Sequence, residues 1–378
     1  MLRILLPISK SIANRWLMLQ AIHGDGLMTV SCDMPDDVQI LHHALQACER
    51  QGDEALTLDI GNCGTATRFL TAYCAQRDGK VVILCGVERM HHRPIGQLVD
   101  ALRSIGADIE YLGKEGFPPL RITGQALNKS QPITLNHPQS TQFVSALLLI
   151  GANVQTDSTS PYITLTREMV RNQELGTKSK DTLETTNQTE QTSLDSLVLA
   201  PCSAIEKDWS AAAFWYEYVA LHGGKITLPG LSLDSLQGDK VVADIFSHLG
   251  VRTTYTPEGI ILSPTGVADL QGSARSTAQR SAEGTLCQDF SACPDLYPAV
   301  ALTCERLGIE LHATGVESLP LKESDRLRAV AEHRTDADHR MAMALLVAGY
   351  EVDDTDCISK SYPHFLEQFR RINSLNVQ

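Results

Sequence analysis

The sequence predicts an α/β protein assembled from six copies of a strand–helix–strand–helix unit, and three features lead there. A short polar or glycine-containing opening, a helix rich in Ala and Leu, and a closing glycine recur six times along the chain. A second, more charged and amphipathic helix follows each one. Short β-type runs flanked by Gly or Pro lie between them.

The first apolar helix follows Ser9 in SKSIANRWLMLQAIHGDG and is partnered by Asp36 to Arg50. The second follows Cys63 in CGTATRFLTAYCAQRDG, with Pro94 to Ile105 as partner, and Pro at a first helical position marks that start. The third follows Gln139 in QSTQFVSALLLIGA, with Thr166 to Asn172 behind it. Asp208 (DWSAAAFWYEYVALHGG), Asp289 (DFSACPDLYPAVALTCERLG) and Asp338 (DHRMAMALLVAG) open the other three, with partners at Leu236–Leu249, Lys322–His333 and Pro363–Ile372. Strands are expected at Val81-Val82-Ile83-Leu84, Ile226-Thr227-Leu228 and Ile260-Ile261-Leu262. Repeat features alone leave open a generic α/β sheet whose Ala-rich helices resemble one another by composition.

Helices that are apolar nearly all round, such as Ala211-Ala212-Ala213-Phe214-Trp215, belong inside, with the charged partners facing water. The ends of the buried helices then become the places to look for chemistry, because helix N-termini present unpaired N–H groups and the positive end of the dipole. Those ends carry cations: Lys10 and Arg15, Arg68 after Asn62-Cys63-Gly64-Thr65, Arg93, Lys322 and Arg326, Arg340, and Lys360. Gly64 would let a ligand approach the backbone closely. Singly, each cation is an ordinary cap or surface ion pair. Eight together, in a chain with 32 Lys+Arg against 45 Asp+Glu and a net charge of −13, point to a focused positive cleft for an anionic small molecule.

The same acidic balance argues against a nucleic-acid groove or a polybasic membrane patch. No run of about 18 apolar residues is present to span a membrane. The opening MLRILLP is too short for the apolar core of a signal peptide, and the ten cysteines contain no C-x-x-C pair, so reduced thiols in the cytoplasm are expected. No Walker A loop, G-x-S-x-G or G-x-G-x-x-G after a strand occurs, and no metal-ligand spacing stands out. His42, His43, His91 and His92 are expected at the surface, and Cys293 as a buried structural thiol.

Two stretches break the rhythm. Residues 176–196 are polar, Thr- and Gln-rich and without apolar period, and are expected to form an exposed, mobile insertion. From a charged helix to the next apolar one the chain runs from 105 to 139, 172 to 208 and 249 to 290, but only from 333 to 338 in the sixth unit. That connection is too short for strands, so the sixth unit is expected to be truncated near 333–334.

At this point the motifs match a known family. LPISKSIANR resembles the LPGSKSxxNR opening of the 5-enolpyruvylshikimate-3-phosphate synthases (3-phosphoshikimate 1-carboxyvinyltransferases), and IGNCGTATRFL resembles their GNAGTAMRPL segment. ERMHHRPIGQLVDALRSIGA, QSTQFVSALL, SPYITLTREM, LQGD, CPDLYPAVAL, LPLKESDRLRAVAEH, DADHRMAMALLVAG and KSYPHF follow in the family's order, covering Leu6 to about Phe369.

The resemblance implies the two-domain enolpyruvyl-transferase fold, an inside-out α/β barrel of six βαβαββ-type repeats, three per domain. It implies a discontinuous domain I of residues 1–8 and 206–378 and a domain II of residues 9–205. The activity implied is transfer of the enolpyruvyl group of phosphoenolpyruvate to the 5-hydroxyl of shikimate 3-phosphate, with release of phosphate and no metal or organic cofactor. Partners are the two small-molecule substrates, not nucleic acid or membrane, and a cytoplasmic monomer is expected. Domain closure would exclude water during the reaction.

By resemblance, Lys10 touches both substrates and takes part in proton transfer, Asp295 is the base for the 5-hydroxyl, and Glu323 is the acid that protonates the enol methylene. Ser11, Arg15, Ser140, Thr141, Gln142, Thr159, Tyr162, Ser318 and Lys322 fall at positions that bind shikimate 3-phosphate, as do Lys10 and Asp295. Gly64, Arg93, Arg326, Arg340 and Lys360, with Lys10, fall at those binding phosphoenolpyruvate. The residue types suit the chemistry, since arginines orient carboxylate and phosphate through paired N–H groups, and addition to the enol carbon needs an acid and a base together. This chain departs from the pattern at Ile8 (usually Gly), Phe69 (Pro), Thr141 and Thr159 (Ser) and Ser318 (Asn). UDP-N-acetylglucosamine enolpyruvyl transfer, and a degenerate, non-catalytic anion-binding homologue, stand as the alternatives. Ser11 after the first Lys, and no Cys in the loop leading to Arg93, count against the former.

Overall fold

The computed structural model describes residues 2–183, 205–265, 279–280 and 284–376. The apolar helices form as α1 (Lys10–His23), α3 (Gly64–Ala75), α5 (Thr141–Leu149), α7 (Trp209–His222), α9 (Tyr297–Leu307) and α11 (His339–Val347). Their partners are α2 (Asp36–Glu49), α4 (Gly96–Ser104), α6 (Pro161–Leu183), α8 (Val242–Ser247), α10 (Arg326–Glu332) and α12 (Phe365–Asn376). Among the described residues no helix is long and apolar enough to cross a membrane.

The polar openings of the sequence serve as caps. Asp208 accepts from the N–H of Ala211 at 3.0 Å and starts α7. Ser140 does the same for α5 through Gln142, Asp338 for α11 through Arg340, and the Cys63 sulfur for α3 through Ala66. Burial follows the apolar pattern: every residue of α7 from Trp209 to Val219 is buried, and so is all of α3 except Thr65.

The chain folds into two compact units. Unit one comprises Met1–Lys10, Cys32–Asp36 and Glu206–Gln378, and unit two Ser11–Ser31 and Asp37–Ile205. The two crossing segments pair antiparallel within unit one: Ile8 bridges Lys207, the N–H of Ser9 reaches Glu206 O at 2.7 Å, and that of Asp208 reaches Pro7 O at 3.1 Å.

Sheet topology shows the repeat directly. In unit two, β2 (Leu56–Asp59) runs through α3 to a parallel neighbour β3 (Val81–Cys85). After α4 the hairpin β4 (Asp108–Tyr111) and β5 (Leu120–Thr123) adds antiparallel to β3, giving the order β2-β3-β5-β4. The pair β6 (Ile133–Thr134) and β7 (Val154–Gln155) flanks α5 in the same parallel manner. In unit one, β1 (Leu2–Arg3) is parallel to β8 (Ile226–Pro229) across α7, and the hairpin β9 (Val251–Thr256) and β10 (Gly259–Pro264) follows α8, in the order β1-β8-β10-β9. Around α9 the chain repeats the parallel step with β12 (Thr285–Asp289) and β13 (Glu310–Thr314), and β11 (Gln279–Arg280) lies on the other side of β12.

After α10, where the first two sheets receive a hairpin, the chain passes directly into α11. The sixth unit therefore has no strands between its helices. The splice from 333 to 338 uses left-handed backbone at His333 (φ 51°), Asp336 (φ 46°) and Ala337 (φ 56°), is tied by Arg334 to Asp336 at 2.9 Å, and bonds the Thr335 hydroxyl to Asp353.

Several sequence expectations shift. The helix expected at Thr166–Asn172 starts at Pro161 and continues to Leu183, because Pro161 takes the first helical position after Ser160. It thus enters the polar stretch 176–196, whose remainder, 184–196, lies outside the described residues. The helix expected from Leu236 begins as a 3-10 turn at Gly238–Val241 before α8. The helix expected from Lys322 begins at Arg326, where Asp325 caps it. His42, expected at the surface, is buried on the inner face of α2 with Val38, Leu41 and Leu45.

Candidate active site

The helix openings of unit one gather five of the predicted site residues around one carboxylate. Asp295 sits in the 3-10 turn Pro294–Leu296 that leads into α9. Its Oδ1 receives Arg326 Nη1 at 2.8 Å and Lys322 Nζ at 3.3 Å, and its Oδ2 receives Arg340 Nη2 at 3.0 Å. Arg326, 1% exposed, spends its other nitrogens on Asp338 Oδ2 (Nε, 2.8 Å) and Glu323 Oε2 (Nη2, 3.1 Å). The opposite oxygen of Glu323 lies 3.6 Å from Lys360 Nζ, at the end of the 3-10 helix Asp356–Lys360. Lys10 begins α1, its backbone N–H bonded to Asp208 Oδ2 at 3.1 Å. Ser318 precedes the 3-10 turn Leu319–Leu321.

This arrangement sets the charges. Burial alone would raise the Asp295 carboxyl, but Arg340, Lys322 and Arg326 together hold it well below the usual carboxylate range. Burial works against the charge of Arg326 too, and Asp338, Asp295 and Glu323 overcome it. The expected positive cluster is therefore interleaved with carboxylates rather than uniform.

Two buried groups beside it stand at a helix opening that the sequence marks, but were given no role there. Asp338 is fully buried and serves at once as partner of Arg326, acceptor from the Ser324 hydroxyl (3.1 Å) and cap of α11. His339 is fully buried, neither ring nitrogen has a hydrogen-bond partner among the described residues, and burial followed by the nearby Lys10 and Arg340 charges keeps its pKa well below the ordinary value, hence neutral. Asp338 carried a usable signal, an Asp immediately before an apolar helix, which marks a cap. Asp239, in the LQGD motif, is buried against the Ser210 hydroxyl, and burial followed by the charge of Asp295 raises its pKa to about 6.

Unit two holds the remaining predicted residues in two groups. In the first, Arg15 of α1 is surrounded by the carbonyl of Ser11 (2.9 Å), Thr166 Oγ1 (2.7 Å), Ser145 Oγ (3.1 Å) and the carbonyl of Tyr162 (3.3 Å). In the second, the start of α3 meets the segment before α4. Gly64 stands at the first position of α3 with the Arg93 guanidinium against it, and Arg93 Nη1 lies 3.5 Å from Asn62 O. Arg68, one turn on, donates to Gly64 O at 3.0 Å and Pro94 O at 3.1 Å. Gln142 links the α5 start to that of α3 through Thr65 Oγ1 at 2.9 Å, next to Ser140 and Thr141. Thr159 is exposed in the loop before α6. Among the described residues no group of His, Cys, Asp and Glu side chains is arranged to hold a metal ion.

Comparison with known proteins bears on these motifs as a set. The sequence model of the family described as EPSP synthase (3-phosphoshikimate 1-carboxyvinyltransferase) matches residues 3–334 and again 330–369, two stretches that meet at the splice before α11. A 3-phosphoshikimate 1-carboxyvinyltransferase of Bacteroides fragilis is 35% identical over 413 aligned residues, covering 97% of this chain and 94% of the relative. One from Bordetella pertussis is 30% identical over 437, covering 96% and 94%. Both alignments are longer than the 378 residues of this chain, so the relatives carry residues that have no counterpart in it. In structure, the chain is similar to EPSP synthase from Acinetobacter baumannii, with a TM-score of 0.61 at 19% identity, covering 98% of this chain and 95% of that one. By sequence over nearly its whole length, with the fold in agreement, the chain belongs to the EPSP synthase family.

Proposed function

We infer that this chain is an enolpyruvyl transferase, a 3-phosphoshikimate 1-carboxyvinyltransferase of the shikimate pathway leading to chorismate and the aromatic amino acids. It moves the enolpyruvyl group of phosphoenolpyruvate to the 5-hydroxyl of shikimate 3-phosphate and releases phosphate. The observation that carries the reading is the cluster in which Asp295 and Glu323 share the Arg326 guanidinium, with Arg340, Lys322 and Lys360 beside them.

The reaction adds the 5-oxygen to the enol carbon while a proton enters the methylene, then expels phosphate as a proton leaves the new methyl. One group must take the hydroxyl proton and another must supply the methylene proton. Asp295 takes the first role and Glu323 the second, with Lys10 assisting transfer. As it stands Asp295 is a weak base, because three cations stabilise its charge. Phosphoenolpyruvate would bring its own carboxylate and phosphate to Arg326, Arg340 and Lys360 of unit one, and Arg93 is assigned to it by the family resemblance. Their charge is then shared with the substrate, and the Asp295 pKa rises toward a useful value. Gly64 belongs to the same phosphoenolpyruvate set. Ser11, Arg15, Ser140, Thr141, Gln142, Thr159, Tyr162, Ser318 and Lys322 are assigned to shikimate 3-phosphate. The described cysteines are free thiols, which suits a cytoplasmic enzyme, and we take it to act as a monomer.

Phosphate release measured with both substrates tests the assignment. Turnover by the parent chain that is lost in Asp295→Ala and Lys10→Ala supports it, and no turnover in a folded preparation overturns it.

A further inference from the structure

The two units treat their buried arginines in opposite ways. Arg326 in unit one has three carboxylates for its charge. Arg15 in unit two is only 3% exposed, and every acceptor it reaches among the described residues is neutral: two carbonyls and two hydroxyls. Burial, only partly offset by Tyr162, lowers its pKa to about 10, far above neutrality, so the guanidinium keeps its charge. A buried cation whose partners are all neutral is an incomplete ion pair, and the missing member is an anion.

A guanidinium has five N–H groups. Nε donates to Thr166, one Nη1 hydrogen to Ser11 O, and the two Nη2 hydrogens to Ser145 Oγ and Tyr162 O. Among the described residues one Nη1 hydrogen is left without an acceptor. The hydroxyls that fix this choice are themselves fixed: Ser145 and Thr166 are completely buried on α5 and α6, 2.9 Å apart and hydrogen-bonded, and Thr166 donates to the Tyr162 carbonyl at 2.7 Å. The ring of Phe69 on α3, also completely buried, lies under the guanidinium with its centroid 5.6 Å from Cζ. Phe69 is one of the positions at which this chain departs from the motif it otherwise matches.

We propose that Ser145, Thr166 and Phe69 are positioning residues that hold Arg15, its charge and its one unspent N–H, for an anionic substrate. This rests on the reading above in naming that substrate shikimate 3-phosphate. None of the three need touch it.

Calorimetric titration of shikimate 3-phosphate into the full chain, alongside steady-state kinetics, tests the proposal. Thr166→Val keeps shape and removes the hydroxyl. It is expected to weaken binding about tenfold or more, the size of a hydrogen bond to a charged group. The KM for shikimate 3-phosphate should rise in step, the KM for phosphoenolpyruvate should stay put, and Thr166→Ser should restore binding. Ser145→Ala and Phe69→Leu should shift the same constant. Should Thr166→Val not fold, Ser145→Ala alone decides. Unchanged affinity in folded variants, or equal rises in both KM values, overturns the proposal. A parent chain that binds no shikimate 3-phosphate overturns instead the functional reading beneath it.

Discussion

The terminal nitrogens of Arg93 rest on Gly64: a Cβ at residue 64 would sit 2.5 Å from both Nη1 and Nη2. No side-chain carbon tolerates that approach, so the glycine is required by space and not by backbone conformation. Arg93 is itself 6% exposed. Gly64→Ala should therefore push the guanidinium aside while leaving the fold intact, since the clash is with the far end of a flexible side chain and not with backbone. The expected result is a melting temperature within a few degrees of the parent and a KM for phosphoenolpyruvate raised about tenfold, as for loss of one charge-assisted contact. An unchanged KM would mean that Arg93 does not serve that substrate.

Asp338 stands at the centre of the unit-one cluster although it was not among the residues expected to act. Its carboxylate is fully buried and meets Arg326, Ser324 and the start of α11. Asp338→Ala would leave Arg326 with an unmatched share of buried charge and remove a helix cap. Together these cost roughly 3–5 kcal/mol. Asp338→Asn, which can still cap, should lose less. Urea unfolding followed by circular dichroism gives the order, and equal stability of Asp338→Ala and the parent would remove Asp338 from its central place.

Asp338 shows what a single sequence carries: its place before an apolar helix was legible, and its pairing with Arg326 was not. Local order was readable because it depends on neighbours in the chain: caps such as Asp208 and Ser140, the apolar run through α7, and the strands β3, β8 and β10. Cations at helix openings were readable for the same reason. Their partners were not, because Arg326 meets Asp295 across 31 residues and Arg15 meets Thr166 across 151. Helix starts such as Pro161 were missed where β-branched residues masked a Pro signal, and the burial of His42 is a tertiary fact that its His-His neighbourhood does not betray.

Glu217 makes the clearest pH prediction. It lies within α7, 0% exposed, and neither carboxylate oxygen has a hydrogen-bond partner among the described residues. Burial raises its pKa well above the ordinary value, so it is held protonated in the folded state. A group with a raised folded pKa contributes its stability fully below the unfolded value near 4.5 and loses it as pH rises through the folded value. The parent should thus lose stability relative to Glu217→Met as pH climbs from about 5 upward. Glu217→Met, similar in volume and without a polar group to bury, should be more stable by about 1–3 kcal/mol at neutral pH. Unfolding midpoints of both chains at a series of pH values test it, and parallel curves would show that Glu217 has an unseen partner.

The splice between α10 and α11 is where the sixth unit's strands are absent, and its backbone records how it closes. Three residues other than glycine adopt left-handed conformations within five positions, and Ala337, at φ 56°, is the least suited because it has no side chain to bond its own backbone. Ala337 is exposed, so its methyl group contributes no packing that a glycine would lose. The segment cannot relax easily, since Thr335 is buried and tied to Asp353 on one side and Asp338 is fixed by Arg326 on the other. Ala337→Gly should therefore stabilise the protein by about 1 kcal/mol, the left-handed penalty of an L-residue, even though glycine gains more freedom on unfolding. Ala337→Val, branched at Cβ, should destabilise it by at least as much. Denaturant midpoints at constant slope would register both signs. A destabilised Ala337→Gly would mean that this residue is not left-handed in solution, and that the chain crosses from α10 to α11 by another path.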